Sequence, residues 1–264
     1  MTVSSLRAAA RAGLFLILTG GLLPFYLLSY GLGKRARRVF AFPFFRGCVA
    51  LTGLRIKVIG TPVKDQGALL VSNHVSYLDI PVLAALLDGR FVAKTEVRGW
   101  PLFGFLARIS GTVFVARRAT GMLSERREVA ERLAQGETIF LFPEGSSSDG
   151  TKVLPFRSGL LSAVLADEAA ETLVQPVSLI YRPALGYVWH GDMNLAPHLW
   201  RVFGRAKPSV VEVRFHPPRP SSAFSNRRDL TAWAEDAVAQ ALPAQPSGIC
   251  KISPKRKDVT ATPT

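Results

Sequence analysis

Cysteine is scarce in this 264-residue sequence, and the two cysteines that occur, Cys48 and Cys250, are about 200 residues apart. A pair placed in this way suggests neither a disulfide framework nor a metal site built from cysteine ligands. The sequence therefore fits a reducing compartment, and each cysteine is expected to be an inert small residue.

Acidic residues are also few. Against 33 Lys and Arg there are 19 Asp and Glu, for a formal net charge of +14, yet 48% of the residues are hydrophobic and the mean hydropathy is +0.21. A basic chain can bind nucleic acid, but this one has no run of aromatic residues interleaved with Lys and Arg and no zinc-finger spacing. Basic and apolar character together favour an anionic membrane surface as the partner.

Charge is absent from residues 12–33, a length close to the roughly 20 apolar residues that cross a bilayer core. Gly20, Gly21 and Pro24 interrupt the centre, so a spanning helix and a kinked or re-entrant helix both fit. A basic cluster follows at once, which predicts a retained segment, contact with anionic headgroups and a chain that lies mostly on the cytoplasmic side of the membrane. This cluster is Lys34, Arg35, Arg37 and Arg38. A second apolar stretch, residues 39–54, is predicted to be an interfacial helix or a buried core helix.

Beyond Pro62, short β-rich runs alternate with helical periodicity, which predicts an α/β domain with a mixed, largely parallel sheet flanked by helices. Strands are predicted at residues 68–72, 91–94, 112–116, 138–142, 174–180 and 210–215, and helices at 77–87, 101–109, 124–135, 159–167 and 229–242. Residues 183–208 lack a clear period and are predicted to be a long irregular loop. The chain thus divides into a membrane-attachment segment (1–58), a folded domain that carries the chemistry (59–242) and a disordered basic tail (243–264).

The run NHVSYLD, residues 73–79, follows a predicted strand, and strand ends are where α/β proteins place their sites. Ser76 and Asp79 form a capping-box pattern, which predicts Ser76 as an N-cap and Asp79 in the first helical turn. His74 then stands on the turn and can fold back onto Asp79. That carboxylate would fix the imidazole tautomer and leave the other ring nitrogen to take a proton from a hydroxyl. The alternative is a capping aspartate beside an ordinary turn histidine.

Two other predicted strands also end in polar residues. The run FPEGS, residues 142–146, presents Glu144 and the backbone N–H groups beside Gly145, which together suit polyol hydroxyls or an oxyanion. The strand GTVFVA is followed by Arg117 and Arg118, and guanidinium groups suit phosphate. The alternatives are a solvated turn glutamate and surface arginines, and we adopt the surface role for Arg118.

In order, NHVSYLD, GTVFVAR, FPEGS and QPVSL resemble the four motifs of the glycerophospholipid and lysophospholipid acyltransferase family, over roughly residues 68–180. The resemblance implies that His74 and Asp79 are a catalytic dyad that activates an acceptor hydroxyl. It implies that an acyl-CoA or acyl-carrier protein thioester is the co-substrate, and that neither metal nor cofactor takes part. The residues implied to bind the acceptor or the thioester are Arg117, Glu144, Gly145, Ser146 and Lys94.

The third motif departs from the common family pattern, since Ser146 replaces threonine and Ser147 stands where an arginine is frequent. Arg157 either replaces that missing charge or lies on the surface. The wider run looks like a bacterial branch that includes lysophosphatidate acyltransferases and enzymes that acylate lyso-ornithine lipid. We expect 1-acyl-sn-glycerol-3-phosphate as the acceptor, giving phosphatidate, with lyso-ornithine lipid as the alternative.

Three other interpretations are less favoured. A membrane lipid hydrolase would use Ser76 or Ser146, but neither lies in a G-x-S-x-G elbow. A non-enzymatic membrane-binding protein would carry the histidine and aspartate incidentally. A metal site is not expected, because the nearby residues His190, Asp192 and His198 more often make local hydrogen bonds in an irregular loop.

Overall fold

The computed structural model describes residues 4–64, 66–116, 122–166, 169, 171–184 and 186–243 of the chain. Two N-terminal helices, α1 (Ser5–Leu28) and α2 (Lys34–Thr52), precede an α/β unit in which a sheet lies between layers of helices. The helices of this unit are α3 (Asp79–Ala84), α4 (Phe103–Ile109), α5 (Met122–Ala134), α6 (Ser158–Leu161), α7 (Leu195–Phe203) and α8 (Arg227–Gln240).

In the described part of the chain, eight strands form one sheet with the order β1-β7-β6-β2-β5-β3-β4, and β8 pairs with β6. The strands are β1 (Leu54–Ile59), β2 (Ala68–Ser72), β3 (Arg90–Lys94), β4 (Val113–Val115), β5 (Thr138–Leu141), β6 (Leu173–Arg182), β7 (Ser209–Phe215) and β8 (Arg219–Pro220). The central strand β2 runs parallel to both β5 and β6. β6 pairs antiparallel with β7 and β8, so the sheet is mixed but largely parallel.

Helices cover both faces of β2, and every one of its residues is buried. Successive strand residues point to opposite faces, so Leu70 joins a core that includes Val82 of α3 and Val202 of α7. Leu69 joins the other core, which includes Val129 of α5 and Leu230 of α8. A strand buried on both faces needs apolar residues at every position, which explains the unbroken run ALLV.

Helices α1 and α2 pack against each other, and α1 also contacts α7. Large apolar side chains remain exposed on α1, including Leu6, Ile17 and Leu28 with exposed fractions of 83%, 71% and 75%. Within the described residues, the helical stretch Ser5–Leu32 is the one long and apolar enough to cross a membrane, judged by length and composition alone.

Charged side chains tie the start of α2 to the edge of the α/β unit. Lys34 Nζ lies 3.3 Å from Glu137 Oε1, and Arg38 Nε lies 2.7 Å from Asp88 Oδ2. Arg90 extends the network, with its Nε 3.7 Å from Glu137 Oε2. Part of the basic cluster that was predicted to meet lipid headgroups is therefore paired with protein carboxylates.

The predicted fold class is confirmed, and each predicted strand is present with shifts of at most two residues at its ends. Three elements were not predicted: β1, β8 and α7, the last of which occupies part of the stretch predicted to be an irregular loop. Because β1 pairs with β7, the sheet begins at Leu54, ahead of the predicted domain start at residue 59. The division into three regions otherwise stays a prediction, and residues 244–264 of the predicted tail lie outside the described residues.

Candidate active site at the ends of the central strands

The loop after β2 is fixed to the neighbouring strand β6 by one side chain. Asn73 Nδ2 donates to the carbonyl oxygen of Leu179 at 3.0 Å, and the N–H of Leu179 donates to Asn73 Oδ1 at 2.8 Å. Asn73 is buried, so both hydrogen bonds are shielded from water. This clamp sets the starting point of the loop that carries His74.

His74 and Asp79 are in contact, with His74 Nδ1 2.8 Å from Asp79 Oδ2. The same oxygen accepts the backbone N–H groups of Val75 at 2.7 Å and Ser76 at 3.0 Å. The bond from Ser76 is the half of the predicted capping box in which the acidic residue reaches back to the cap. The prediction that Ser76 is the N-cap is wrong, because α3 begins at Asp79 and Leu78 is its N-cap. Ser76 Oγ accepts only a long bond of 3.4 Å from the N–H of Leu78.

Tyr181 holds the other oxygen of this carboxylate. Its hydroxyl donates to Asp79 Oδ1 at 2.6 Å, and both side chains are buried. Burial and the adjacent Asp79 carboxylate hold the pKa of Tyr181 well above its usual value. Tyr181 therefore remains a hydrogen-bond donor, and Asp79 receives donors on both oxygens. Tyr181 was not predicted as a site residue, because it is separated from Asp79 by 102 positions in the sequence.

The loop after β5 holds the ring and the backbone of His74. The imidazole stacks on Phe142 with centroids 4.3 Å apart. The His74 N–H donates to Glu144 Oε1 at 3.3 Å, and the His74 carbonyl oxygen accepts the N–H of Ser148 at 2.8 Å. With Nδ1 engaged by Asp79 and the backbone held on both sides, Nε2 is the nitrogen left for proton transfer.

Glu144 is placed differently from the sequence expectation that it grips the acceptor. Its side chain is buried against the backbone of His74, and among the described residues Oε2 has no hydrogen-bond partner. Burial raises the pKa of Glu144 to about 8, although the backbone N–H groups of His74 and Leu154 act in the opposite direction. The geometry favours Glu144 as a residue that positions His74 rather than one that contacts substrate.

Gly145 adopts a φ of +67°, a conformation that other residues rarely take, and its N–H donates to the carbonyl oxygen of Phe142 at 3.1 Å. That N–H is therefore not a free donor for substrate, contrary to the sequence expectation. The turn brings Gly145 against the guanidinium of Arg157. A Cβ at Gly145 would lie 3.3 Å from Arg157 Cζ.

A cavity of about 790 Å³ lies beside His74. Part of it is lined by Lys94 at the end of β3, by Gly145 and Ser146 in the loop after β5, and by Arg157 just before α6. Apolar side chains of α1, α2 and α4 line much of the rest, among them Phe15, Leu22, Phe40, Phe45 and Leu106. A space with a polar end at a histidine and a long apolar wall has the form that an acyl chain with a reactive head requires. Asp79 and Glu144 do not line the cavity. Arg117 lies outside the described residues.

The histidines near α7 do not gather as metal ligands. His198 Nδ1 lies 3.0 Å from the hydroxyl of Tyr77, and His198 is buried. Across the described chain, no cluster of three or more His, Cys, Asp or Glu side chains is arranged to hold a metal ion. Gln175, the first residue of the QPVSL motif, has a structural role, since its Nε2 donates to the carbonyl oxygens of Thr61 and His216 at 2.9 and 2.8 Å.

Comparisons with known proteins place this architecture in context. A family profile described as Acyltransferase matches residues 55–180. The chain is 39% identical over 203 residues to a lyso-ornithine lipid O-acyltransferase of Rhodobacter capsulatus, covering 75% of this chain and 73% of that protein. It is 31% identical over 200 residues to a 1-acyl-sn-glycerol-3-phosphate acyltransferase of Neisseria gonorrhoeae, covering 73% of this chain and 76% of the relative. The crystal structure of the 1-acyl-sn-glycerophosphate acyltransferase PlsC from Thermotoga maritima has a TM-score of 0.64 and 27% identity, covering 90% of this chain and 92% of that one.

Proposed function

Because this chain belongs to the acyltransferase family, we propose that it transfers a fatty-acyl group from a thioester to the free hydroxyl of a lysolipid. The family resemblance predicted from the four motifs is confirmed, and the chain is an acyltransferase enzyme. The observation that carries the proposal is the His74–Asp79 pair, with Nδ1 and Oδ2 2.8 Å apart, beside an apolar cavity of about 790 Å³.

In the proposed reaction, His74 Nε2 removes the proton from the acceptor hydroxyl as its oxygen attacks the thioester carbonyl carbon. Asp79 stabilises the imidazolium that forms, and the donors around Asp79 keep its carboxylate oriented towards the ring. The carbon–sulfur bond then breaks, and the departing thiolate takes the proton from His74. Acyl transfer of this kind uses no protein nucleophile.

Negative charge develops on the carbonyl oxygen during this attack and needs nearby donors. Lys94, at the end of β3, lines the cavity and is our candidate for that role. Ser146 and Ser147 line the same part of the cavity and offer hydroxyl and backbone N–H groups. Gly145 serves by allowing the turn, since its own N–H is already used.

For the acceptor, we propose lyso-ornithine lipid ahead of 1-acyl-sn-glycerol-3-phosphate, the reverse of the order expected from the motifs. Relatives named lyso-ornithine lipid O-acyltransferase are 39% identical in both Rhodobacter capsulatus and Brucella abortus. Relatives named 1-acyl-sn-glycerol-3-phosphate acyltransferase, with identities of 32% and 31% in two Neisseria species, support the second candidate. The serine at position 147, where the family often has arginine, also favours an acceptor without phosphate.

We propose that α1 and α2 attach the enzyme to the membrane from which the acceptor comes. The exposed apolar side chains of α1 suit a lipid environment, and the cavity wall formed by α1 and α2 would receive an acyl chain from that side. The basic cluster after α1 supports attachment at the cytoplasmic face, where acyl-CoA and acyl-carrier protein are available.

The test measures transfer of labelled acyl groups from acyl-CoA and from acyl-carrier protein to each acceptor by detergent-purified protein. His74→Ala should lower turnover by about 1,000-fold or more, because the general base is lost. His190→Ala is the matched control and should keep wild-type turnover. Wild type that acylates neither acceptor from either donor would contradict the proposed function. If His74→Ala turned over like wild type, the assigned base would be wrong. Both histidine variants should still sediment with liposomes.

A further inference from the structure

The basic side chains that line the cavity differ in how they are engaged. In the described chain they are Lys34, Arg37, Arg38, Arg90, Lys94 and Arg157. Lys34 and Arg38 are paired with carboxylates, and Arg37 packs over the ring of Tyr30 at 4.8 Å. Lys94 has an interaction within the molecule as well.

Arg157 is the exception in this set. Among the described residues no carboxylate lies within ion-pair distance of its guanidinium, although the side chain is solvent-exposed at the cavity wall. A guanidinium presents a planar fork of N–H donors that matches a carboxylate or a phosphate. An unpaired fork at the wall of a substrate cavity is therefore available for an anionic group on a ligand.

The structure also fixes the backbone that carries this side chain. The N–H of Arg157 donates to the carbonyl oxygen of Pro143 at 3.0 Å, in the same loop that holds His74. The preceding N–H, that of Phe156, donates to Glu235 Oε2 at 2.7 Å and ties the segment to α8. The guanidinium rests on Gly145, which has no side chain to displace it. The Arg157 backbone is thus held to the loop after β5, and its guanidinium lines the same cavity as His74.

We infer that Arg157 binds the anionic headgroup of the acceptor and so places the acceptor's hydroxyl beside His74. This inference rests on the proposed function and adds a residue that selects acceptors carrying an oxyanion. The shared ligand chemistry is a carboxylate, as in the ornithine headgroup, or a phosphate, as in 1-acyl-sn-glycerol-3-phosphate. Ser147 leaves the neighbouring position without a charge, so Arg157 supplies a cation for the acceptor, while Lys94 is assigned to the thioester oxygen.

The test compares steady-state kinetics of Arg157→Gln, Arg157→Lys and wild type with both acceptors, varying acceptor and donor separately. Loss of a charge-assisted fork should raise the acceptor KM about 10- to 100-fold in Arg157→Gln and leave the donor KM unchanged. Arg157→Lys keeps the charge without the fork and should recover part of the loss. Arg227→Gln removes an exposed arginine on α8 and is the matched control, with unchanged KM values.

The outcomes separate the two anions and the two proposals. A KM effect confined to lyso-ornithine lipid identifies the carboxylate, and one confined to 1-acyl-sn-glycerol-3-phosphate identifies the phosphate. An unchanged acceptor KM in an active Arg157→Gln enzyme overturns the inference alone. A rise in the donor KM instead also overturns it, because Arg157 would then bind the donor. Wild type with no transfer to either acceptor contradicts the proposed function and this inference together.

Discussion

Replacing Tyr181 by phenylalanine removes one hydroxyl from the buried support of Asp79 and leaves the ring in place. The lost bond is the 2.6 Å contact between the Tyr181 hydroxyl and Asp79 Oδ1, whereas the bonds to Oδ2 from His74, Val75 and Ser76 remain. Because the site is buried, water cannot readily replace the missing donor. The variant thus isolates the effect of one hydrogen bond on the dyad.

A hydrogen bond to a charged group contributes about 1.5–3 kcal/mol, so Tyr181→Phe should lower the free energy of unfolding by about that amount. Without the hydroxyl, the Asp79 carboxylate loses the donor that holds its second oxygen, so it orients and stabilises the imidazolium of His74 less well in the transition state. If about half of the lost energy is withdrawn from the transition state, kcat/KM should fall by about 4- to 13-fold, because about 1.4 kcal/mol corresponds to a factor of ten in rate.

Tyr187→Phe is the matched control, since Tyr187 is also fully buried and stacks on Tyr181 with centroids 6.3 Å apart. Its hydroxyl donates at 3.1 Å to the neutral carbonyl oxygen of Thr52, so its loss should cost about 0.5–1.5 kcal/mol of stability and leave kcat/KM unchanged. Acyl-transfer kinetics, with chemical denaturation of each variant in detergent, separate the two effects. An unchanged kcat/KM in Tyr181→Phe, or an equal fall in Tyr187→Phe, would refute the role of Tyr181 in orienting Asp79.

Two further substitutions test the loop after β5. Burial raises the pKa of Glu144 from 4.5 to about 8, so the folded chain binds this proton more tightly than the unfolded chain does. The stability that this residue contributes should be fully present below pH 4.5 and be lost as pH rises towards about 8. Glu144→Gln should remove that decline, whose slope is at most about 1.4 kcal/mol per pH unit. Chemical denaturation between about pH 5 and 8 measures it, and the same pH dependence of the unfolding free energy in both proteins would contradict the prediction. Gly145→Ala should lose about 1 kcal/mol from its positive φ and also raise the acceptor KM by displacing Arg157. Gly136→Ala is the control, because Gly136 has a similar φ of +73° and nothing lies within 4 Å of the added Cβ. It should lose stability without a change in the acceptor KM. Equal acceptor KM values in the two variants would argue against the Gly145–Arg157 contact.

The sheet was largely predictable because its central strands are short apolar runs bounded at both ends by glycine, proline or polar residues. β1 escaped prediction since its sequence LRIKVI follows α2 with only Gly53 between them and alternates charged and apolar residues. α7 was hidden by its surroundings, a stretch rich in glycine and proline, and by Pro197 in its own first turn. Local patterns of this kind reveal an element only when its boundaries differ from what flanks it.

The site was predictable where its residues are neighbours in sequence and not where the fold brings them together. The spacing of His74 and Asp79, five positions apart, allowed their contact to be anticipated from the turn between them. The direction of the Glu144 side chain depends on a contact with His74, 70 positions away, so its inward orientation could not be predicted from local sequence. The choice between the two roles predicted for Arg157 likewise depended on the structure, which shows its hydrogen bond to the Pro143 carbonyl and its contact with Gly145.

Residues 73–76 form no helix or strand, yet their backbone is bonded as fully as that of a core element. The N–H groups of His74, Val75 and Ser76 end on the buried carboxylates of Glu144 and Asp79, and the loop begins at the Asn73 clamp on β6. Opening this loop would break these buried hydrogen bonds together, so its local unfolding should require more free energy than that of a solvent-exposed loop. The histidine is therefore rigid before any lipid arrives, and substrate binding need not bear the entropic cost of organising the base.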